Sequence, residues 1–196
     1  MGTTFMNAHC QQAVCGPSRA SLLTGRRPDQ IKVWDLKTKI RKVNPDIVTL
    51  PQYFKNEGYA TAALGKVFDP RSTDGRVKHD APSWSIPYQP SWTLKYDETL
   101  GQPVTHYQSP RIREKAEASG LKEYNALSTY LEEHDAWPAV ECEDVPDNAY
   151  EDGAIGDRAV EMLRELGGAG QPFFLAVGFR KPHLPFVAPK KYWDMY

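Results

Sequence analysis

The sequence lacks any apolar run long enough to cross a membrane. None of its 196 residues lies in a stretch approaching the roughly 20 apolar residues that a spanning helix needs. The amino terminus also lacks a basic segment followed by an apolar one, so no secretory signal is visible there. These absences predict a chain without a membrane span.

An excess of charge of either sign is also missing, and cysteine is scarce. The 24 Lys and Arg side chains nearly balance 25 Asp and Glu, which gives a net charge of −1. That balance provides no electrostatic case for binding nucleic acid or an anionic membrane. Three cysteines are too few for a disulfide framework. If Cys15 serves chemistry, Cys10 and Cys142 remain either as one pair or as two unrelated buried thiols.

Hydrophobic residues make up 40% of the chain, which is ordinary for a globular domain of this size. Helical and strand patterns alternate, and this predicts an α/β domain with a mostly parallel sheet flanked by helices. Residues 69–147 are more irregular, with many prolines and aromatic side chains, and are typical of an insert-like region. The predicted helices are 17–24, 47–57, 110–118, 121–133 and 149–166, the last ended by the glycines of 167–170, and the predicted strands are 3–8, 59–64 and 172–179.

The most informative run is residues 15–26, Cys-Gly-Pro-Ser-Arg-Ala-Ser-Leu-Leu-Thr-Gly-Arg. It predicts a helix that starts just after Cys15, with Pro17 suited to the first turn and Gly25 suited to the end. Arg19 then lies one turn into the helix. A thiol at a helix N-terminus meets unpaired N–H groups and the positive end of the helix dipole, a setting that also favours anions.

Taken alone, Cys15 also has simpler interpretations than a reactive thiol. It is compatible with a buried structural thiol, one half of a disulfide, or a metal ligand beside His9 and Cys10. The spacing from Cys10 to Cys15 offers no zinc-like ligand set, which weakens the metal interpretation.

Two further candidates follow predicted strands. Lys66 comes directly after the strand 59–64, and His183 comes shortly after the strand 172–179. Ligands in open α/β sheets collect beyond the carboxyl ends of strands, so both residues are placed for chemistry. Each also has a simpler interpretation as a solvated or loop residue. The other four histidines are predicted to have surface roles: His9, His79, His106 and His134. Asp69 and Asp74 are predicted to form turns, with substrate contact as the alternative.

The run at residues 15–26 resembles the signature of type I, formylglycine-dependent sulfatases. Further resemblance, to the iduronate-2-sulfatase-like branch, lies in Gly65-Lys66-Val67-Phe68 and in residues 172–186. The resemblance implies an alkaline-phosphatase-like layered fold and hydrolysis of a sulfate ester. It also implies oxidation of Cys15 to formylglycine, which becomes the nucleophile and a ligand of calcium.

The same resemblance assigns roles to the other candidates. Arg19 would hydrogen-bond the modified side chain or its anion, and Lys66 would neutralise a sulfate oxygen. His183 would transfer a proton during sulfate release or leaving-group departure, and both His183 and Lys181 would contact substrate. The implied partners are a sulfated sugar or glycosaminoglycan and a formylglycine-generating enzyme. An extracytoplasmic compartment is implied as well.

Two departures from the family pattern stand out. The family holds calcium with an acidic pair upstream of the signature and an Asp-His or Asp-Asn pair well downstream, and neither has a counterpart here. This branch also often has histidine where this chain has Asp69. These departures predict that residues 1–196 are a partial catalytic domain of a longer sulfatase, unable alone to bind calcium tightly or turn over efficiently. The alternatives are a phosphate or phosphonate monoester hydrolase, and a truncated domain that only binds sulfated glycans.

Overall fold

The computed structural model describes residues 2–73 and 79–196, so Asp74 lies outside the described residues. The chain divides into two compact units. Unit 1 comprises residues 1–88 and 166–176, and unit 2 comprises residues 89–165 and 177–196. The division passes within one long helix and one strand.

Unit 1 is built from four helices and a strand pair. The helices are α1 (Cys15–Thr24), α2 (Pro28–Ile31), α3 (Ile40–Val43) and α4 (Leu50–Asn56), and β1 (Ala60–Gly65) pairs with β3 (Phe173–Gly178). The ring of Phe54 on α4 stacks on Phe174 of β3, with centroids 4.9 Å apart. The core of the unit comprises Ala20, Leu23, Ile31, Val33, Ile40, Ile47, Ala63, Val67, Phe68 and Trp84.

Unit 2 contains the remaining elements, β2 (Val140–Glu141), β4 (Phe186–Val187), and the helices α5 (Pro110–Ser119), α6 (Tyr124–Glu133), α7 (Glu151–Gly168) and α8 (Lys190–Trp193). The last turn of α7 belongs to unit 1. Strands β2 and β4 are parallel, with Val140 opposite Phe186. The core of the unit comprises Tyr107, Ile112, Ala116, Leu127, Leu131, Ala136, Tyr150 and Val187.

Most predicted elements are present, with boundaries moved by caps. The Thr49 hydroxyl accepts from the Gln52 N–H, so α4 begins at Leu50 and not at 47. Likewise the Glu123 carboxylate accepts from the Ala126 N–H and fixes the start of α6. Helix α7 continues through Gly167 to Gly168, two residues further than predicted.

Two predictions are wrong. Residues 3–8 form exposed coil with a turn and no strand, because a strand needs a neighbour to pair with and the described chain provides none there. Cys10 and Cys142 are free thiols and both are exposed, so they are neither a disulfide nor buried. Within the described residues, no helix combines the length and apolar character needed to cross a membrane.

Candidate active site

Helix α1 begins two residues earlier than the proline suggests and includes Cys15 as its first residue. Val14 is extended and caps the helix, and the Ser18 N–H donates to the Val14 carbonyl at 3.1 Å. Pro17 fits in the first turn because the N–H that it lacks has no intrahelical acceptor. At the other end Gly25 adopts a left-handed φ of 66°, as predicted, and donates to the Ser21 carbonyl. Cys15 is half-buried at the N-terminal end of a ten-residue helix.

Lys66 lies against Cys15. The residue follows β1 directly, and its Nζ donates to the Cys15 Sγ at 3.6 Å. The sequence separates the two residues by 51 positions, so the fold of unit 1 brings them together. An ammonium at this distance from the Cys15 sulfur can stabilise negative charge that develops there.

Arg19 holds the segment that presents Lys66. Its Nη1 donates to the carbonyl of Lys66 and, at 3.0 Å, to the carbonyl of Val67. The guanidinium therefore links the second turn of α1 to the backbone leaving β1. This is a backbone contact, whereas the resemblance assigns Arg19 to the modified side chain or its anion.

Asp69 and Arg71 complete the cluster; the sequence predicts Asp69 as a turn residue with substrate contact as the alternative, and it does not single out Arg71. Asp69 is fully buried, and its Oδ2 lies 3.6 Å from Lys66 Nζ. Arg71 donates from Nε to Oδ1 at 3.0 Å and from Nη2 to Oδ2 at 2.9 Å. The Arg71 N–H also donates to Oδ1, so Asp69 is the turn-forming residue that the sequence predicts as well as an ion-pair partner.

Charge balance at Asp69 follows from these contacts. Burial alone raises the pKa of this carboxyl, but hydrogen bonds from Arg71 and the positive charges of Arg71 and Lys66 outweigh burial and lower it. Asp69 is thus an anion in the folded protein. In the sequence, the indication of this ion pair was an acidic and a basic residue two positions apart, shortly after Lys66.

Lys181 and His183 lie in unit 2, in the segment that follows β3. Asp152 on α7 accepts the N–H groups of Arg180 at 2.7 Å and of Lys181 at 2.9 Å. Lys181 Nζ donates to the carbonyls of Pro185 at 2.7 Å and His183 at 3.3 Å, and burial lowers its pKa. The His183 side chain is exposed. The predicted roles of Lys181 and His183 stay predictions.

His106 corrects a prediction, because it is buried and not a surface residue. Its Nε2 lies 2.7 Å from the Tyr124 hydroxyl and 3.1 Å from Arg180 Nη2. Burial, followed by the positive charges of Arg180, Lys181 and His183, lowers its pKa to about 3. A neutral imidazole that accepts from Arg180 fits these contacts. His79, also predicted at the surface, is only partly exposed, and its ring stacks on Tyr88 in unit 1.

The residues present do not fit a calcium ion. Within residues 2–73 and 79–196, no group of three or more His, Cys, Asp or Glu side chains is arranged to hold a metal. Arg71 occupies both oxygens of Asp69, and the atom facing Cys15 Sγ at 3.6 Å is the cationic Lys66 Nζ. Calcium prefers six to eight oxygen ligands, so the described site provides no such shell. The metal-ligand role of Cys15 stays a prediction.

Comparison with known proteins decides the family. The sulfatase family model matches residues 1–196. This chain belongs to the sulfatase family. Human iduronate 2-sulfatase is 36% identical to this sulfatase chain over 193 residues, which cover 98% of the chain and 31% of the relative. A sulfatase of Formosa agariphila is 31% identical over 206 residues, covering all of the chain and 35% of that protein. The chain therefore spans about a third of the length of these curated relatives.

A solved structure agrees on the fold. The crystal structure of Ps i-CgsB in complex with k-i-k-neocarrahexaose matches with a TM-score of 0.52 and 21% sequence identity. The match covers 89% of this sulfatase chain and 36% of the other chain. At that identity the likeness concerns the fold alone, and it confirms the layered α/β fold that the sequence predicts.

Proposed function

We propose that the protein is a sulfuric ester hydrolase and that its nucleophile derives from Cys15. The observation that carries the proposal is the contact of 3.6 Å between Lys66 Nζ and Cys15 Sγ at the N-terminus of α1. Membership of the sulfatase family supports the same reaction class. A cation and the positive end of a helix dipole beside one reactive atom suit a reaction in which negative charge develops on sulfate oxygens.

The modification explains why a cysteine occupies this position. Conversion of Cys15 to formylglycine would supply an aldehyde, and addition of water to it would give a hydrate with two geminal hydroxyls. One hydroxyl would attack sulfur, and deprotonation of the other would release sulfate and restore the aldehyde. A serine in its place would become a stable sulfate ester, and turnover would stop. The proposal therefore includes a formylglycine-generating enzyme as a partner of the nascent chain.

Other residues of this chain take the remaining roles in the reaction. Lys66 binds a sulfate oxygen and stabilises its charge in the transition state. Arg19 positions Lys66 through the carbonyls that it holds. His183 is the proton donor or acceptor, since an imidazole can serve as a general acid or a general base. Because Lys181 already donates to two carbonyls of its own segment, its contacts support shaping of that segment more than direct substrate contact. No step is assigned to a metal.

The substrate class we propose is a sulfated carbohydrate, such as a sulfated sugar or a glycosaminoglycan end. Relatives that carry the name iduronate 2-sulfatase act on such a group by their name, and they cover nearly the whole chain. An extracytoplasmic site of action is part of the same proposal.

The first test combines mass spectrometry with kinetics on the full-length gene product, expressed together with a formylglycine-generating enzyme. We expect an aldehyde in place of the thiol in the Cys15 peptide, and faster turnover of an aryl sulfate than of the matching aryl phosphate. Lys66→Ala should lower kcat for the sulfate by about 10²–10³, the usual cost of removing one donor to a developing anion.

The control is Lys42→Ala, because Lys42 is an exposed lysine on α3 of the same unit. It should leave kcat unchanged. Faster turnover of the phosphate would point to a phosphate monoester hydrolase. An unmodified thiol together with no turnover would point to a domain that only binds.

A further inference from the structure

Lys66 is not the sole cation near Cys15 in unit 1. The Oδ2 atom of Asp69 lies between two positive groups, 3.6 Å from Lys66 Nζ and 2.9 Å from Arg71 Nη2. The two cationic nitrogens therefore flank a single oxygen. Lys66 contacts Cys15, and Arg71 pairs with the same Asp69 oxygen as Lys66.

Arg71 is held rigidly but remains accessible. Both of its contacts with Asp69 are charge-assisted and parallel, a geometry that fixes the guanidinium plane. Asp69 is fully buried, whereas 52% of the Arg71 side chain is exposed. The pair uses Nε and Nη2, which leaves Nη1 outside it. A pre-oriented, half-exposed guanidinium is suited to receive an anionic oxygen from solvent.

The loop that carries Arg71 is also fixed against the rest of unit 1. Lys39 Nζ donates to the Arg71 carbonyl at 2.6 Å, and the Ile40 N–H donates to the Ser72 carbonyl at 2.9 Å. Ser72 is buried and packs against Gly16, the neighbour of Cys15. Hydrogen bonds to Asp69 raise the pKa of the Arg71 guanidinium against the effect of burial, and negative charge at Asp69 and at Cys15 raises it further.

We propose that Arg71, oriented by Asp69, is a specificity-determining residue that binds a second anionic group of the substrate, next to the sulfate bound at Lys66. This rests on the proposed function. Lys66 neutralises the sulfate being cleaved, and Arg71 recognises a carboxylate or a further sulfate on the same sugar. Asp69 offsets one of the two positive charges, so Lys66 and Arg71 do not repel each other across a short gap.

The test compares two substrates that differ by one charge. They are the sulfate ester of 3-hydroxybenzoic acid and the sulfate ester of its methyl ester, assayed with the full-length gene product. The wild type should have the higher kcat/KM for the acid. In Arg71→Gln the ratio of the two kcat/KM values should fall about tenfold, mainly through KM of the acid, as expected for the loss of one charge-assisted hydrogen bond.

Matched variants separate recognition from stability. Arg71→Lys keeps the charge but loses the paired hydrogen bonds, and we expect it to recover part of the ratio. Arg164→Gln, at an exposed arginine of α7, should leave the ratio as in wild type. Thermal unfolding of each variant checks that it is folded.

Failure of the inference is distinct from failure of the proposed function. If the wild type hydrolyses neither ester, the proposed function fails. The inference is overturned if the wild type hydrolyses both esters and Arg71→Gln leaves the ratio of their kcat/KM values unchanged or slows both equally. Arg71 would then not bind a second anion.

Discussion

The glycine at position 16 is required by packing at the edge of the site. A Cβ added there would lie 2.5 Å from Ser72 Oγ, 3.0 Å from the Asp35 carbonyl oxygen and 3.2 Å from Leu36 Cδ2. An added Cβ would therefore force the Ser72 side chain to move and would crowd the Asp35 carbonyl and the Leu36 side chain. Glycine suits this position because these segments approach α1 closely.

We expect Gly16→Ala to lower the free energy of unfolding by about 1–3 kcal/mol, the usual cost of overpacking. Denaturant unfolding monitored by circular dichroism measures this. The matched control is Gly156→Ala within α7, where an added Cβ would have nothing within 4 Å. That change should raise stability by about 0.5–1 kcal/mol, because alanine favours the helix. A neutral result for Gly16→Ala would contradict the packing account.

Asp69 illustrates what residue types alone reveal. An aspartate followed by a proline predicts a turn, and the Arg71 N–H bonded to Oδ1 confirms that interpretation. The ion pair with Arg71 and the approach to Lys66 need the loop path, which local propensity does not specify. One side chain therefore serves both as a turn residue and as the centre of the charged cluster.

At the scale of elements, helix α7 supports the segment after β3. The Asp152 carboxylate in the first turn of α7 accepts one backbone N–H with each oxygen, from Arg180 and from Lys181. The same carboxylate is favourable at a helix N-terminus because of the helix dipole. The Asp152 side chain thus helps to hold the segment that carries His183.

Asp152→Ala should release that segment. We expect the free energy of unfolding to fall by about 1–3 kcal/mol, since two part-buried N–H groups lose their acceptor. Hydrogen exchange should become faster at the Arg180 and Lys181 amides in particular. Asp157→Ala, at an exposed aspartate on the same helix, should leave exchange at both amides unchanged. Equal exchange in the two variants would show that Asp152 does not hold the segment.

Element boundaries were predictable where the caps are local. Gly25 ends α1 at a left-handed φ, and Gly120 does the same for α5 with φ 65°. The predicted strand at 3–8 failed for a different reason. Its residue pattern is suited to a strand, but strands form by pairing, and pairing depends on a partner that the pattern itself does not contain.

At the scale of the whole molecule, buried histidine makes stability depend on pH. The pKa of His106 is about 3 in the folded protein, below the value of about 6.5 of an exposed histidine. Between these values the unfolded chain binds a proton that the folded chain does not. Stability conferred by neutral His106 is therefore complete above about pH 6.5 and is lost as pH falls toward 3.

We expect the free energy of unfolding to decrease across that window by up to about 1.4 kcal/mol per pH unit from this group. Denaturant unfolding at several pH values measures the slope. In His106→Gln the slope between pH 6.5 and 4 should become shallower, while the exposed His134→Gln should leave it as in wild type. An unchanged slope in His106→Gln would show that this histidine does not govern acid sensitivity.

The sequence by itself determined the family, the α/β class, the position of Cys15 at a helix N-terminus and the candidacy of Lys66. These features depend on short runs of residues whose local conformation and chemistry go together. Only the tertiary structure decided that Lys66 contacts Cys15, that Arg19 holds the Lys66 backbone, and that Asp69 pairs with Arg71. It also placed His106 in the interior of unit 2, beside Arg180. Contacts between residues distant in sequence depend on the path of the chain, and burial depends on what that path packs against each side chain.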